Sequence, residues 1–286
     1  MNKNLDDIIK ALGKPFYHND RIVLYNMDCH DGLRKLVSNN IEIDATITSP
    51  PYNIGKEYEK VLSVDKYVEW LSDILNLIYD TTKQNGSLLL NVGYLGIQDK
   101  GRAVPIPYLI WDKIKFYLNQ EIVWNYGAGV ATKYYLSPRN EKVLWYVKNY
   151  DDYTFNLDEI RDPEIKYPNQ KKNGKLRCNQ IGKNPSDVWQ IAKVTSGTNR
   201  SSKERTPHPA QFPEDLILRM IMGFTNKEDL ILDPFIGSGT TANTALLNNR
   251  NCIGFEIEEK YCHWIKKRIN LSEKRIKEND KIITLF

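Results

Sequence analysis

The chain has 286 residues, a formal net charge of +4 and 27% charged side chains, which is enough length for one α/β domain with an inserted segment. No stretch approaches the roughly 20 apolar residues of a membrane-spanning helix, and the amino terminus lacks the apolar region of a signal peptide, so no membrane partner is expected. The four cysteines (29, 178, 252 and 262) have no CxxC spacing; neither a metal site nor a disulfide framework is indicated, and a cytoplasmic location is expected.

The amino-terminal half alternates predicted strands and helices. Short runs rich in aliphatic and β-branched residues predict strands over residues 22–25, 43–47, 88–91 and 121–124. Apolar residues at helical spacing predict a helix over residues 67–79. Alternating elements with short connections indicate a mostly parallel sheet that helices cover on both faces.

A stiff turn follows the strand over residues 43–47, with the sequence Thr48-Ser49-Pro50-Pro51-Tyr52-Asn53. The two prolines end the ladder pairing and fix the backbone. A hydroxyl, a bare carbonyl and an aromatic ring are therefore expected at the carboxyl end of the strand, where open α/β sheets bind ligands. These groups suit a planar base with an exocyclic amine, although a proline-stiffened surface loop is the alternative for this turn alone.

Residues 151–205 form a predicted insertion that is rich in Asn, Gly, Pro and Ser and has little helical periodicity. Within it, residues 161–205 carry eleven Lys or Arg against four Asp or Glu, a net charge of +7, so the rest of the chain sums to −3. Basic side chains bind phosphates, and Asn, Gln and Arg suit the edges of bases. A solvated surface is the alternative interpretation.

A glycine-rich loop follows another apolar strand in the last third of the chain. Its sequence is Asp233-Pro234-Phe235-Ile236-Gly237-Ser238-Gly239-Thr240-Thr241, and a helix is predicted over residues 242–247. Gly237, Gly239 and Ala242 satisfy the dinucleotide-binding pattern, and Glu256, after a strand predicted over residues 252–255, has about the spacing of a ribose-binding acid. The alternative for Glu256 is a solvated residue of the acidic run 256–259. On its own, the loop supports a nicotinamide-dependent dehydrogenase almost as well.

Together, the two motifs resemble the DNA amino-methyltransferases that use S-adenosylmethionine. In that family a (Ser/Asp/Asn)-Pro-Pro-(Tyr/Phe) turn holds the target base and an Asp-Pro-Phe-x-Gly-x-Gly-Thr loop holds the cofactor. Here the turn precedes the loop by about 185 residues, the order of the family's beta group. The resemblance spans about residues 20–270, with further family landmarks at 25–29, 86–91, 139–146 and 208–213. A dehydrogenase has no use for the Ser-Pro-Pro-Tyr turn.

The resemblance implies a mostly parallel, seven-stranded, Rossmann-like methyltransferase sheet in which the strands before Ser49 and Asp233 lie side by side. It divides the chain into a catalytic half (1–150), a target-recognition insertion (151–205) and a cofactor-binding half (206–286). The implied catalytic residues are Ser49, Pro50, Pro51 and Tyr52. The implied cofactor-binding residues are Asp28, Cys29, Asp233, Phe235, Gly237, Gly239, Thr240 and Glu256. Beside a base-binding turn, Lys171, Lys172, Lys175 and Arg177 are predicted to bind DNA, and the basic helix predicted over residues 261–279 is predicted to be structural.

The activity that follows is direct methyl transfer to the amine of a base flipped out of duplex DNA. Ser49 Oγ and Pro50 O would accept hydrogen bonds from the amine, and Tyr52 would stack on the base. Ring-carbon methylation needs a cysteine nucleophile in a Pro-Cys turn, and no cysteine here follows a proline. Ser49 and the Pro-Ala-Gln-Phe-Pro sequence at 209–213 favour cytosine N4 over adenine N6.

Adenine N6 stays the alternative target. A DNA-binding module that has lost activity is a more remote hypothesis, against which both intact motifs argue. The predicted partners are double-stranded DNA, a paired restriction endonuclease and a second copy of the chain.

Overall fold

The computed structural model of the chain describes residues 3–57, 60–129, 131–194, 202 and 204–283. Its helices are α1 (Lys3–Leu12), α2 (Cys29–Ser38), α3 (Val64–Thr81), α4 (Ile106–Ile110), α5 (Glu214–Phe224), α6 (Thr240–Leu247) and α7 (Glu259–Ile283). Its strands are β1 (Tyr17–His18), β2 (Ile22–Asn26), β3 (Ile43–Thr48), β4 (Thr82–Val92), β5 (Tyr94–Ile97), β6 (Gly101–Pro105), β7 (Tyr117–Asn125), β8 (Asn140–Val147), β9 (Lys171–Lys172), β10 (Lys175–Leu176), β11 (Val188–Gln190), β12 (Leu230–Asp233) and β13 (Asn251–Glu256).

One large sheet organises these elements, with the strand order β1-β2-β13-β12-β3-β4-β8-β7-β11. The five strands from β2 to β4 in this order run parallel, and β8 is antiparallel to both of its neighbours. The predicted α/β class and mostly parallel sheet are confirmed. The sheet has nine strands rather than seven because β1 and β11, of two and three residues, add to its edges. Such short strands carry too little periodicity to be predicted.

Helices cover both faces of the sheet, because the strands carry apolar side chains on both faces, as β2 illustrates. Its side chains alternate: Val23 and Tyr25 pack in one buried cluster, and Ile22 and Leu24 pack in the other. The first cluster includes apolar residues of α1, α2 and α3, and the second includes those of α5, α6 and α7. Strands buried on both faces read as continuous apolar runs, which is why the sequence reveals β3, β12 and β13 clearly.

The sheet places the two sequence motifs beside each other. β12 pairs with β3 in parallel, with Ile231 opposite Ala45 and Leu232 opposite Thr46. The turn after β3 and the loop after β12 therefore leave the sheet at the same edge, as the resemblance implies.

Residues 151–205 contribute a 3-10 turn at Leu157–Ile160, the hairpin β9–β10 and the edge strand β11. β11 pairs with β7, and Trp189 within it is 3% exposed, so this part of the segment is anchored to the main core. The hairpin residues are exposed. In the described ranges, every helix is too short or too polar to cross a bilayer.

Candidate active site

A cavity of about 660 Å³ opens at the carboxyl ends of β2, β3, β12 and β13. All four predicted catalytic residues line it, and so do the predicted cofactor-binding residues except Gly239. Gly239 instead turns the chain into α6 with φ of 72°, and a Cβ there would lie 2.9 Å from the Ile265 side chain. The position thus requires glycine for the backbone and for helix packing.

The Tyr52 hydroxyl is the centre of a hydrogen-bond network in the base-binding turn. It accepts from Ser49 Oγ at 3.0 Å and from Asn91 Nδ2 at 2.6 Å, and it donates to Glu141 Oε2 at 3.1 Å. Burial, and next the negative charge of Glu141, raises the pKa of Tyr52 well above its usual value. The phenol therefore stays protonated and keeps its role as donor to Glu141.

This network determines what Ser49 offers to a ligand. Because the Ser49 proton points to Tyr52, the free positions on Ser49 Oγ are lone pairs, and the hydroxyl acts as an acceptor in the cavity. The turn itself is fixed: Pro51 O accepts from the Tyr67 hydroxyl at 2.8 Å, and a Cβ at Gly93 would lie 3.0 Å from the Tyr52 ring.

Glu141 is held by an ion pair with Lys193, whose Nζ lies 2.7 Å from Glu141 Oε1. The Lys193 ammonium also lies 3.7 Å from the centroid of the Tyr126 ring, a favourable cation–π arrangement. Both charged residues line the cavity, and sequence reasoning missed both as site residues. Glu141 belongs to the 139–146 landmark, but Lys193 was one member of a basic run with nothing to distinguish it.

Asp233 joins the cofactor loop to the base-binding turn. Its Oδ1 accepts from Thr48 Oγ1 and its Oδ2 from Thr241 Oγ1, both at 2.7 Å, and the Phe235 N–H donates to Oδ1 at 3.2 Å. The side chain is almost fully buried, and burial raises its pKa to about 6. Although Asp233 lines the cavity, its carboxylate oxygens mainly accept hydrogen bonds from residues of the two motifs and thereby hold the motifs together.

Glu256 faces the same cavity and is 8% exposed, so the solvated-residue alternative is wrong. Its two carboxylate oxygens accept from the N–H groups of Gly237 at 3.0 Å and Glu258 at 2.8 Å. Burial raises the pKa of Glu256. Each oxygen keeps a lone pair for a ligand hydroxyl.

His208 packs on the cofactor loop and was missed as a site residue. A Cβ at Gly237, where φ is 47°, would lie 2.9 Å from His208 Nε2, so the two groups are in close approach. The His208 Nδ1 accepts from the Ala210 N–H at 3.2 Å, and burial lowers the pKa of His208 to about 4. The imidazole is therefore neutral at pH 7. The only sequence signal for His208 was its position in the 208–213 segment that resembles the family.

Asp28 and Cys29 line the cavity at the start of α2, where Asp28 accepts from the His30 N–H at 2.8 Å as the helix cap. Ligand atoms of Asp28, Cys29 and His30 lie within 4.8 Å of one another, the spacing of a metal site. Burial raises the pKa of the Cys29 thiol to about 12, so this thiol is protonated in the metal-free protein.

Arg268 on α7 supports the cofactor loop from behind. One of its nitrogens donates to Ser238 O at 3.0 Å, and another lies 2.7 Å from Glu214 Oε1 on α5. This contact confirms a structural role for this residue of the basic helix.

The predicted DNA-binding residues lie outside the cavity, on the exposed hairpin β9–β10 and just after it. Lys172 and Lys175 are directly opposite each other in its register. Like charges directly opposite each other destabilise a hairpin.

Comparisons with known proteins agree with this geometry. A family model described as "DNA methylase", for N6 and N4 methyltransferases, matches residues 43–267. The type II methyltransferase M.ScaI of Streptomyces caespitosus is 54% identical over 91% of this chain and 85% of its own length. Among solved structures, the cytosine-N4-specific PvuII DNA methyltransferase covers 93% of both chains with a TM-score of 0.69 and 21% identity. The structure of an M1.HpyAVI–SAM complex covers 87% of this chain and 99% of its own chain, at 26% identity and a TM-score of 0.59.

Proposed function

This chain belongs to the DNA methylase family of N6 and N4 methyltransferases, and from that membership we propose that it methylates the N4 amine of cytosine in duplex DNA. S-Adenosylmethionine is the cofactor of the family and of this chain. The observation that carries the proposal is the meeting of the Ser-Pro-Pro-Tyr turn and the glycine-rich loop in one cavity, where Asp233 links them.

The residues on the cofactor side of the cavity fit S-adenosylmethionine. The buried Glu256 carboxylate has lone pairs for ribose hydroxyls, and Gly237 lets the backbone approach closely. Phe235 packs against Trp70 with 5.7 Å between the ring centroids, and both rings form part of the apolar wall of the cavity. The bound cofactor would supply an electrophilic methyl group on a sulfonium centre.

Ser49 and Pro50 would orient the amine of the target base. The lone pair of an exocyclic amine is delocalised into the ring, so the amine is a weak nucleophile. Hydrogen bonds from its two N–H groups to Ser49 Oγ and Pro50 O would turn the lone pair out of the ring plane and toward the cofactor. Tyr52 would replace the stacking that the extruded base loses.

Cytosine is our preferred target because of two sequence features. Ser at the first position of the turn, here Ser49, is commoner among the cytosine-amine enzymes of the resembled family, and the Pro-Ala-Gln-Phe-Pro sequence at 209–213 departs from the Pro-Thr-Gln-Lys-Pro usual in its adenine enzymes. Adenine N6 is the second candidate, since the family model that matches residues 43–267 covers both activities.

We assign target recognition to residues 151–205. The charge of the β9–β10 hairpin supports this assignment, because the opposed Lys172 and Lys175 would be stabilised by a phosphate between them. A paired restriction endonuclease also belongs to the proposal, because the relative M.ScaI is a type II methyltransferase. Assembly into a homodimer stays a prediction.

Nucleoside mass spectrometry of DNA from cells that express the chain tests the proposal. We expect 4-methylcytosine with the parent chain and a strongly reduced amount with Ser49→Ala, since one acceptor for the amine is removed. Only 6-methyladenine would move the assignment to the second candidate. Finding 5-methylcytosine would contradict the mechanism, because no cysteine lies in the base-binding turn.

Replacing Glu256 by alanine should weaken cofactor binding by roughly 1–3 kcal/mol, the value of a hydrogen bond to a charged group. Titration calorimetry with S-adenosylmethionine measures the loss. Glu259→Ala is the matched control, because that carboxylate belongs to the same acidic run but is exposed. Unchanged affinity in a folded Glu256 variant would place the ribose elsewhere.

Changing Lys171, Lys172, Lys175 and Arg177 to glutamine should flatten the salt dependence of DNA binding. Each lost phosphate contact reduces the log–log slope by about 0.9, so the full set reduces it by up to about 3.6. Fluorescence anisotropy at several salt concentrations gives the slope. The control neutralises Lys266, Lys267, Lys274 and Lys277 on α7 and should keep the slope of the parent. An equal slope for the hairpin variant and the parent would make the hairpin a solvated surface.

A further inference from the structure

The loop between β7 and β8 presents the two most exposed large hydrophobic side chains of the described residues. Tyr134 is 93% exposed and Leu136 is 94% exposed. The two side chains lie on a single loop with one residue between them. Large apolar side chains that are exposed together in this way mark interaction sites.

This loop, described over residues 126–129 and 131–139, emerges from the rim of the cavity. The last pairs of the β7–β8 ladder before the loop are Trp124 with Glu141 and Asn125 with Asn140. Trp124 and Glu141 both line the cavity. The loop therefore begins and ends within two residues of the cavity wall, on the side of the Tyr52 network.

Contacts within and below the loop hold its tip in shape. The Thr132 N–H donates to Ser137 Oγ at 3.2 Å, and Thr132 Oγ1 donates to the carbonyl of Tyr135. The Arg102 guanidinium lies 5.0 Å from the centroid of the Tyr135 ring. The contact with Arg102 on the neighbouring β5–β6 hairpin thus holds the Tyr135 ring in place. The side chains on either side of it in sequence, Tyr134 and Leu136, are exposed to solvent.

The charge around this tip favours a polyanion. Within this loop the sequence has no acidic residue, Lys133 directly precedes Tyr134, and Arg102 lies next to Tyr135. A second copy of the chain would bring Lys133 and Arg102 against their own counterparts in a two-fold interface, which is unfavourable. Duplex DNA would instead neutralise them.

We propose that Tyr134 and Leu136 form a wedge that enters the duplex where the target base leaves it. This inference rests on the proposed function, because a base extruded into the cavity leaves a gap between its stacked neighbours. Aromatic and aliphatic side chains fill such gaps and keep the base from returning. A loop at the cavity rim is placed to do so while Tyr52 holds the extruded base.

The test measures single-turnover methyl transfer by the double variant Tyr134→Ser/Leu136→Ser on two duplexes that carry the methylation site mapped in host DNA. One duplex is fully paired, and the other has a mismatched base opposite the target, which lowers the energy of extrusion. We expect a loss of about tenfold or more on the paired duplex and recovery to within about threefold of the parent on the mismatched one. Tyr117→Ser is the control, because Tyr117 is 53% exposed at the opposite end of β7; it should behave as the parent.

Equal losses on both duplexes, or no loss on either, would overturn the wedge. A change from dimer to monomer in sedimentation would also overturn it, since the tip would then bind a second copy. Inactivity of the parent chain on both duplexes would contradict the proposed function itself, and is thereby distinguished from failure of the wedge alone.

Discussion

Replacement of Tyr52 by alanine should lower the single-turnover rate of methyl transfer by roughly 30- to 1,000-fold, while the affinity for S-adenosylmethionine changes little. Loss of the ring removes a stacking platform worth roughly 1–3 kcal/mol per base. Loss of the hydroxyl also frees Ser49 Oγ from the 3.0 Å hydrogen bond that aims its lone pairs into the cavity. Rapid-quench assays with saturating DNA, together with calorimetry for the cofactor, measure the two quantities.

Tyr52→Phe separates the two contributions, because it keeps the ring and removes only the hydroxyl. We expect a loss of about tenfold, the value of the disturbed hydrogen bonds to Ser49, Asn91 and Glu141. If the phenylalanine and alanine variants are equally impaired, the ring is not the platform for the base. If the alanine variant is as fast as the parent, the site is not where the base binds.

Replacement of Glu141 by alanine should lower the same rate by roughly 10- to 100-fold, although Glu141 need not touch the base. The change removes the Glu141 carboxylate that accepts from the Tyr52 hydroxyl, and it leaves the half-buried Lys193 ammonium without its carboxylate. A partly buried charge that loses its partner destabilises its surroundings, so a loss of about 1–3 kcal/mol in folding free energy should accompany the slower rate. Denaturant unfolding and single-turnover assays measure the two effects.

The control for Glu141 lies on the same hairpin. Glu121 on β7 pairs with Lys142 on β8 at 2.9 Å, and neither residue lines the cavity. Glu121→Ala should leave the methyl-transfer rate unchanged. The double variant Glu141→Ala/Lys193→Met should recover stability without recovering the rate, because the unpaired ammonium is gone while the Glu141 carboxylate that orients the Tyr52 hydroxyl is still missing. Recovery of both would reduce Glu141 to a purely structural role.

Much of the sheet could be predicted from sequence because its central strands are local, apolar and buried on both faces. β3 and β13 were predicted within a residue of their observed bounds, and an apolar strand was predicted directly before the glycine-rich loop, where β12 lies. The family resemblance implied that the strands before Ser49 and Asp233 lie side by side, and the prolines and glycines of the two motifs constrain the backbone wherever they occur. These signals need no knowledge of distant residues.

The parts that could not be predicted depend on distant pairs of side chains. Glu141 and Lys193 are 52 residues apart and meet only because β8 starts beside the end of β7 and because the chain after β11 returns there. Nothing in a basic run distinguishes Lys193 from its neighbours. His208 was equally hidden, since its neutral state and its approach to Gly237 arise from burial, which a local sequence does not encode.

The order of the strands has a consequence for synthesis of the protein. The two strands that fill the middle of the sheet, β12 and β13, come from residues 230–256, whereas their neighbours β2 and β3 lie within the first 48 residues. A chain growing on the ribosome therefore carries two separate, open sheet edges until its last fifth emerges. Long-range parallel pairing of this kind closes slowly, and unpaired edges attract aggregation or chaperones in the meantime. Because the cofactor loop arrives with those same strands, an incomplete chain can neither close its sheet nor modify DNA.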